Sequence, residues 1–395
     1  MSEVGAATGV RKFMPSLEGI RGLGFLLVFI AHYLPPDRFS SAGSVPYRVL
    51  LGLEEIAYFG IPMFFVLSGY LIGGILFSTR NREGFFRVYY GHRVLRILPV
   101  YYLSLLIIAC VYIFLKFPLG FHFWAYFLFI QNLLPVIQGQ SGPLLMIHFW
   151  TLATEEQFYL LWPLVVWFFP QRKKLSMIAA ALIVAIFVIR AASSHFVPAP
   201  QILEYWSIAR ADGILLGVLL ALVINQSMVV KIKPYAKWIA LFGILVASLW
   251  ASWKGAQWPK SFPGAELLIP WINFSAVAIV IAVLEEGSWL DRFCSQSWLC
   301  WFGRRSYSLY IFHLIYARLF VRSLTPFLSQ RIPHTFAVLL STAIAFSLTV
   351  LLSMLSYWLI EKPAQRVRQR LKYGPLKVVP APPVAREALR AETEA

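Results

Sequence analysis

The stretch LEGIRGLGFLLVFIAHYLP, residues 17–35, decides the fold class of this chain. It is long and apolar enough to cross a bilayer as a helix, yet it contains Arg21 and His32. These two residues are eleven positions apart, so they return almost to the same helical face, about 16 Å from one another. Ionisable side chains inside a membrane helix are energetically costly and usually mark a functional site. Arg21 and His32 are therefore the first candidate site residues.

The composition of the chain favours a polytopic membrane protein. Of 395 residues, 59% are hydrophobic and 13% are charged, and apolar runs of about 20 residues recur along the length. The 35 Lys and Arg residues outnumber the 18 Asp and Glu residues, which is typical of cytoplasmic loops under the positive-inside rule. We therefore expect contacts with membrane lipid and no binding of nucleic acid. The three cysteines lack metal-ligand spacing, and no metal site is predicted.

The charge distribution predicts ten membrane-spanning helices with both termini in the cytoplasm. The predicted spans are residues 17–35, 56–78, 94–116, 150–170, 175–193, 207–225, 236–253, 267–285, 306–323 and 336–360. A further apolar stretch, 121–137, is short and contains Gln131 and Asn132. Counting it as a crossing would place the basic cluster 172–174 outside the cell, against the positive-inside rule. The stretch is therefore predicted to be interfacial or re-entrant.

These patterns give one domain and two flanking segments. The fold class is all-α, with a membrane domain over residues 15–363. Residues 1–14 form a cytoplasmic N-terminal segment. Residues 364–395 are proline-rich and poor in apolar side chains towards their end, and they are predicted to be a disordered cytoplasmic tail.

The predicted topology places a histidine and several carboxylates at one depth near the outer surface. His32 lies near the outer end of the first span, and Glu155 and Glu156 begin the fourth span. A carboxylate can accept a hydrogen bond from the protonated ring nitrogen of a histidine. The other ring nitrogen then stays basic, as a general base requires. Helix-end carboxylates also act as caps, and adjacent residues point apart, so only one glutamate is expected to face His32. Arg210 and Asp212, at the same depth, are either part of this site or a salt-bridged pair.

The predicted inner layer is cationic. Arg93 and Arg96 are spaced i, i+3 and project from one helix face at the cytoplasmic interface. Guanidinium groups bind phosphate in a bidentate manner, and interfacial arginines also bind lipid headgroups, so both functions stay open. Ser68 and Gly69 are small residues at mid-membrane, which is typical of close helix packing. His313 is a polar residue in the middle of a helix, where a Tyr or Ser side chain can form its hydrogen bonds.

Seven motifs in chain order resemble the membrane acyltransferase-3 family, over about residues 14 to 363. Arg21 is separated from His32 by ten intervening residues, and the other six motifs are 64–72 (FFVLSGYLI), 93–101 (RVLRILPVY), 150–159 (WTLATEEQFY), 210–213 (RADG), 306–313 (SYSLYIFH) and 361–363 (EKP). Each motif alone is weak, but seven in order are specific.

The resemblance implies an enzyme of the cytoplasmic (inner) membrane that transfers an acyl group, most often acetyl. The donor would be cytoplasmic acetyl-CoA, a substrate rather than a bound cofactor, and the acceptor a hydroxyl of an extracytoplasmic or lipid-linked glycan. The implied roles are general base for His32, orientation of that base by Glu155 or Glu156, and stabilisation of donor or oxyanion charge by Arg21. Arg93 and Arg96 would hold the donor phosphates. A substrate channel would be lined by Ser68, Tyr70, Tyr159, Arg210, Asp212 and His313.

Two other functions remain open at this point. Some relatives acylate small molecules such as macrolides, so the acceptor need not be a glycan. A polytopic transporter would also place charged residues along a substrate path, but transporters of that kind have internal repeats, and none is visible in this sequence.

Overall fold

The computed structural model describes residues 14–40, 44–117, 120, 123–135, 144–196, 206–225, 227–254, 264–317 and 321–376. Within these ranges every regular element is a helix, as predicted. The predicted N-terminal segment, 1–14, lies outside the described residues apart from Met14.

Seventeen α-helices follow one another along the described chain. The first six are α1 (Pro15–Tyr33), α2 (Val45–Tyr58), α3 (Gly60–Thr79), α4 (Phe85–Phe114), α5 (Trp124–Phe127) and α6 (Trp150–Phe168). The next six are α7 (Arg172–Phe196), α8 (Ser207–Arg210), α9 (Asp212–Val223), α10 (Ser227–Ile232), α11 (Ala236–Lys254) and α12 (Gly264–Val283). The last five are α13 (Trp289–Cys294), α14 (Ser297–Tyr316), α15 (Arg322–Ser329), α16 (His334–Ser356) and α17 (Lys362–Arg368). One π-helical turn, Tyr357–Glu361, joins α16 to α17.

A helix overlaps each of the ten predicted spans. Five helical stretches of the described chain are long and apolar enough to cross a membrane, and these are Val45–Thr79, Phe85–Phe114, Arg172–Ser193, Val229–Trp253 and His334–Arg368. A stretch of 20 helical residues is about 30 Å long, which matches the hydrocarbon core of a bilayer. The molecule is thus an all-helical integral membrane protein.

Local sequence signals explain the limits of α1. Pro15 opens the helix, where its missing N–H is not needed, and Glu18 lies in the first turn beside the positive end of the helix dipole. The helix ends at Tyr33, two residues before Pro35 and Pro36, which disfavour a helical conformation in the residue that precedes them. This places Arg21 near the start of α1 and His32 in its last turn.

Two pairs of helices pack with their backbones in contact. Helix α1 lies against α14, and α3 lies against α9. A Cβ atom on Gly69 of α3 would lie 1.8 Å from the carbonyl oxygen of Ile214, and one on Gly217 of α9 would lie 2.0 Å from that of Val66. Small residues at a membrane helix interface permit this approach. Gly69 therefore has the packing function that its position at mid-membrane predicts.

Replacing Gly69 with alanine is expected to lower the free energy of unfolding by about 1–3 kcal/mol, because the new methyl group must push α3 away from α9. The matched control is Gly73→Ala in the same helix, where the added Cβ would lie 3.1 Å from the nearest atom of Val218. The measurement is thermal unfolding of both variants in detergent. Equal melting temperatures for the two variants would contradict the close packing.

The stretch 121–137 contains no long helix in its described part. It consists of α5 and a 3₁₀ turn, Gln131–Leu133, and its polar side chains are buried against neighbouring helices. The amide of Gln131 donates to the carbonyl oxygen of Phe149 at 2.9 Å, and that of Asn132 donates to the hydroxyl of Ser207 at 2.5 Å. The polar residues that make this stretch unsuitable as a span thus fix it to the bundle.

The part of the predicted disordered tail, 364–395, that the structure describes is packed against the helix bundle. Helix α17 packs on α4, and the chain after it pairs with the turn that precedes α4. The backbone N–H of Gly374 donates to the carbonyl oxygen of Glu83 at 3.0 Å, and the N–H of Glu83 donates to that of Pro375 at 3.1 Å. Backbone pairing of this kind does not depend on apolar side chains, so composition does not reveal it. The remainder, 377–395, lies outside the described residues.

Candidate functional site

A cavity of about 170 Å³ lies between α1, α3, α4, α6 and α14, and we call it the first cavity. Its floor and sides include apolar residues of α3, but the ionisable and hydroxyl groups in its wall are Arg21, Ser68, Arg93, Arg96, Glu155, Glu156, Tyr159, Thr151, Ser306, Tyr307 and Tyr310. Charged groups inside a helix bundle are found where a protein handles a polar ligand. The first cavity is therefore the candidate active site.

Helix α4 contributes two arginines to this cavity, and contacts with neighbouring helices fix the position of the first. The guanidinium carbon of Arg93 lies 4.3 Å from the ring centre of Tyr159, a cation–π contact. The hydroxyl of Tyr159 is hydrogen-bonded to the hydroxyl of Ser68 on α3. Arg96, one turn further along α4, lines the same cavity, as its i, i+3 spacing from Arg93 predicts. Three helices thus hold one polar wall.

The glutamates lie beside the arginines and not in a separate outer layer. Glu155 and Glu156 line the first cavity together with Arg21, Arg93 and Arg96. His32 is not among the residues that line this cavity, so orientation of His32 by one of the glutamates stays a prediction. The arrangement reflects electrostatics, since carboxylates and guanidinium groups in a low-dielectric bundle are more stable near each other than apart.

Three imidazoles lie together at the other end of α1. The ring centres of His32 and His313 are 5.0 Å apart, and those of His313 and His148 are 4.9 Å apart. Nδ1 of His32 lies 2.8 Å from the carbonyl oxygen of Val28. Because a carbonyl oxygen only accepts, Nδ1 carries the proton and Nε2 is left as the basic nitrogen. This tautomer suits a general base.

His313 is held in the same way and lies fully buried. Its Nδ1 is 2.6 Å from the carbonyl oxygen of Tyr310, and its Nε2 has no hydrogen-bond partner among the described residues. Tyr33 of α1 donates its hydroxyl to the carbonyl oxygen of His313 at 2.5 Å. His313 therefore bridges α1 and α14 next to His32 and does not line the first cavity.

Thr151 and Tyr310 separate the first cavity from the imidazoles. Their hydroxyls are 2.7 Å apart, both line the cavity, and both contact the carbonyl oxygen of His148, at 3.0 and 3.1 Å. The arginine cavity and the histidine cluster are thus neighbouring compartments with a polar wall between them.

Three other predicted channel residues lie elsewhere. Tyr70 is buried in the apolar core formed with α9 and α12. Asp212 is paired with Arg190 of α7, at 2.6 Å, and the predicted partner Arg210 instead lies over the ring of Trp150, at 5.4 Å from its centre. Residues close in sequence at a helix junction need not face each other, whereas α7 packs directly on α9.

Arg190 and His148 were not among the candidate residues predicted from the sequence, and only Arg190 can be recognised there. Arg190 is an arginine inside the otherwise apolar span 175–193, which is itself a mark of a buried charge. His148 lies in a 3₁₀ turn, Leu144–Phe149, just before α6, where nothing in the local pattern sets it apart. Its contact with His313 arises only from tertiary packing.

No group of three or more His, Cys, Asp or Glu side chains could hold a metal ion in the part of the chain that the structure describes. The three imidazoles each direct one nitrogen to a backbone carbonyl group, and these hydrogen bonds fix the orientation of the rings.

Comparisons with known proteins point to one family. A family model described as "Acyltransferase domain", the acyltransferase-3 model, matches residues 14–358. The peptidoglycan O-acetyltransferase OatA of Listeria monocytogenes is 26% identical over 377 residues, which are 90% of this chain and 56% of that protein. The O-acetyltransferase OatA of Staphylococcus aureus is 26% identical over 388 residues, 90% of this chain and 58% of that protein. The chain thus spans a little over half the length of these relatives, and no solved structure matches it.

The family model covers most of the chain and includes every helix that contributes to the first cavity. It also includes the helices that carry the three imidazoles. The chain therefore belongs to the acyltransferase-3 family.

Proposed function

We propose that this protein transfers an acetyl group from acetyl-CoA to a hydroxyl group of a cell-wall glycan of the peptidoglycan type. The observation that carries the proposal is the first cavity, where Arg21, Arg93 and Arg96 lie inside the bundle, one wall away from His32. The anionic donor then has the arginine-lined cavity as its compartment, and the neutral acceptor has the region of His32. The names of the relatives favour a glycan over a macrolide as the acceptor.

The proposed topology has ten spans in the inner membrane with both termini in the cytoplasm. It is supported by the basic clusters, which all lie on one side under this arrangement, and by the absence of a long helix in the described part of 121–137. The first cavity then faces the cytoplasm, and His32 lies towards the outer surface.

The negative charge of the donor would bind to the arginines, and its long pantetheine arm would reach the histidines. Arg93 and Arg96 bind the phosphates of the donor, and Arg21 adds positive charge at the same end of the molecule. The pantetheine arm of coenzyme A is on the order of 15–20 Å, close to the distance from Arg21 to His32 along α1, about 16 Å. Glu155 and Glu156 balance the guanidinium charges when the donor is absent.

His32 would act as the general base. Its Nε2 removes the proton from the acceptor hydroxyl, and the oxygen attacks the thioester carbonyl carbon. The C–S bond breaks, the ester forms, and the thiolate of coenzyme A takes the proton from His32. His313 lies beside the ring and keeps it oriented. Direct transfer and a covalent acyl-histidine intermediate both fit this arrangement.

The test is transfer of labelled acetyl from acetyl-CoA to a peptidoglycan oligosaccharide by the purified chain in lipid vesicles. We expect label in the glycan with wild-type protein. Arg93→Ala should weaken acetyl-CoA binding by about 10- to 100-fold, since a hydrogen bond to a charged group contributes about 1.5–3 kcal/mol. Arg87→Ala is the matched control, because Arg87 is an exposed arginine of the same helix. Unchanged affinity in Arg93→Ala would contradict the donor site.

Transfer to a macrolide but not to the glycan would favour the small-molecule acceptor. If the protein transfers acetyl from acetyl-CoA to neither the glycan nor the macrolide, the proposed donor is wrong. The family assignment already favours the enzyme over the transporter.

A further inference from the structure

A second cavity, of about 210 Å³, adjoins the first cavity on the side away from the histidines. It is bounded by α1, α4, α14, the π turn and α17, and its polar wall consists of Glu18, Arg21, Arg96, Arg304, Tyr307, Tyr357, Glu361, Gln365 and Arg368. Arg21, Arg96 and Tyr307 line both cavities. The two spaces therefore meet at these three side chains. The hydroxyl of Tyr307 donates to the carbonyl oxygen of Ile97 at 3.0 Å, which fixes it at the junction.

The second cavity carries an excess of positive charge. Four guanidinium groups and two carboxylates line it, so two positive charges lack a counterpart in its wall. Among the described residues of its wall, one ion pair is formed, between Arg21 and Glu18 at 3.7 Å. Guanidinium groups that share a space of low dielectric repel each other, and an anion placed between them relieves that repulsion.

The wall also offers an acceptor that the protein does not use. The Glu361 side chain is buried, and its Oε1 atom has no hydrogen-bond partner among the described residues. Glu361 ends the π turn Tyr357–Glu361, and single π turns within α-helices are frequently found at functional sites. A ligand for this cavity therefore combines anionic oxygens for the arginines with a hydroxyl or amino donor for Glu361.

We propose that the second cavity binds the phosphate-bearing nucleotide end of the acyl donor, with Arg304 and Arg368 as phosphate ligands. A nucleotide has both features: phosphate oxygens, and ribose hydroxyl or base amino donors. The acyl-bearing arm then passes Tyr307, between Arg21 and Arg96, into the first cavity. Arg304 is exposed and Arg368 is half-buried, so the ligand enters from the solvent side. This inference rests on the proposed function.

The experiment compares two thioesters that share the reacting end. Acetyl-CoA has the nucleotide and its phosphates, whereas S-acetylpantetheine has neither. In Arg304→Gln and Arg368→Gln, we expect KM for acetyl-CoA to rise about tenfold each, because a charge-assisted hydrogen bond is lost. KM for S-acetylpantetheine should stay at its wild-type value. Adenosine 3′,5′-bisphosphate should compete with acetyl-CoA in the wild-type protein and about tenfold less well in the variants.

The matched controls are Arg292→Gln and Arg370→Gln, which remove exposed arginines outside the cavity wall. They should leave KM unchanged for both thioesters. Melting temperatures of all four variants separate a lost ligand contact from unfolding. Equal KM increases for both thioesters, or none for acetyl-CoA, would overturn this inference and leave the proposed function intact. A wild-type protein that uses neither thioester would overturn both.

Discussion

Replacing His32 with alanine is expected to lower the rate of acetyl transfer by about 10²- to 10⁴-fold, the usual contribution of a general base. The physical reason is the oriented ring: Nδ1 donates to the carbonyl oxygen of Val28, and Nε2 is left to take a proton. The measurement is kcat for labelled acetyl transfer in vesicles. Binding of acetyl-CoA should change little, because His32 is outside the cavity that holds the arginines.

The matched control is His334→Ala, which removes an exposed histidine at the start of α16. It should transfer acetyl at the wild-type rate. If His32→Ala keeps the wild-type kcat, His32 is not the base. If it loses acetyl-CoA binding to the same extent as kcat, the separation of donor and base compartments is incorrect.

Replacing Asp212 with alanine is expected to lower the free energy of unfolding by about 3–5 kcal/mol, because it leaves a buried arginine without its counter-charge. Arg190 is completely buried, and its NH2 group lies 2.6 Å from the carboxylate of Asp212. Its Nε also donates to the carbonyl oxygen of Ala209 at 3.0 Å, which keeps the guanidinium in place. The measurement is the melting temperature in detergent.

The control is the double replacement Arg190→Met with Asp212→Leu, which removes both charges and keeps the volume. It should recover most of the lost stability, because an apolar pair of similar size often replaces a buried ion pair without loss. A substrate-channel function for Asp212 has the opposite signature: acetyl transfer would fall in Asp212→Ala while the melting temperature stayed constant.

The helices were predictable because hydrophobic runs report directly on membrane burial. All ten predicted spans contain helix, and the break in 121–137 followed from its polar residues. The packing of 364–376 was not predictable, since it depends on backbone hydrogen bonds to the turn near Glu83 and on the contact of α17 with α4.

The candidate site was predictable within one helix but not between helices. The pairing of Arg93 with Arg96 follows from helical periodicity, and both line the first cavity. The depth of Glu155 was inferred from topology alone, and depth does not say which neighbour a side chain faces. The neighbours of His32 and Asp212 come from α14 and α7, so only the packed structure reveals them.

The contact between α1 and α14 has a consequence for the kind of substrate that this enzyme can use. A Cβ atom on Gly22 would lie 2.2 Å from the carbonyl oxygen of Leu299, and one on Gly303 would lie 1.7 Å from that of Glu18. Helices in such contact cannot slide or separate without losing their fit. His313 of α14 therefore keeps its place beside His32 of α1, and the length of α1 alone sets the separation of Arg21 and His32. If the donor binds as proposed, its own flexible chain has to cover this length, and we expect a short, stiff thioester to bind without reacting.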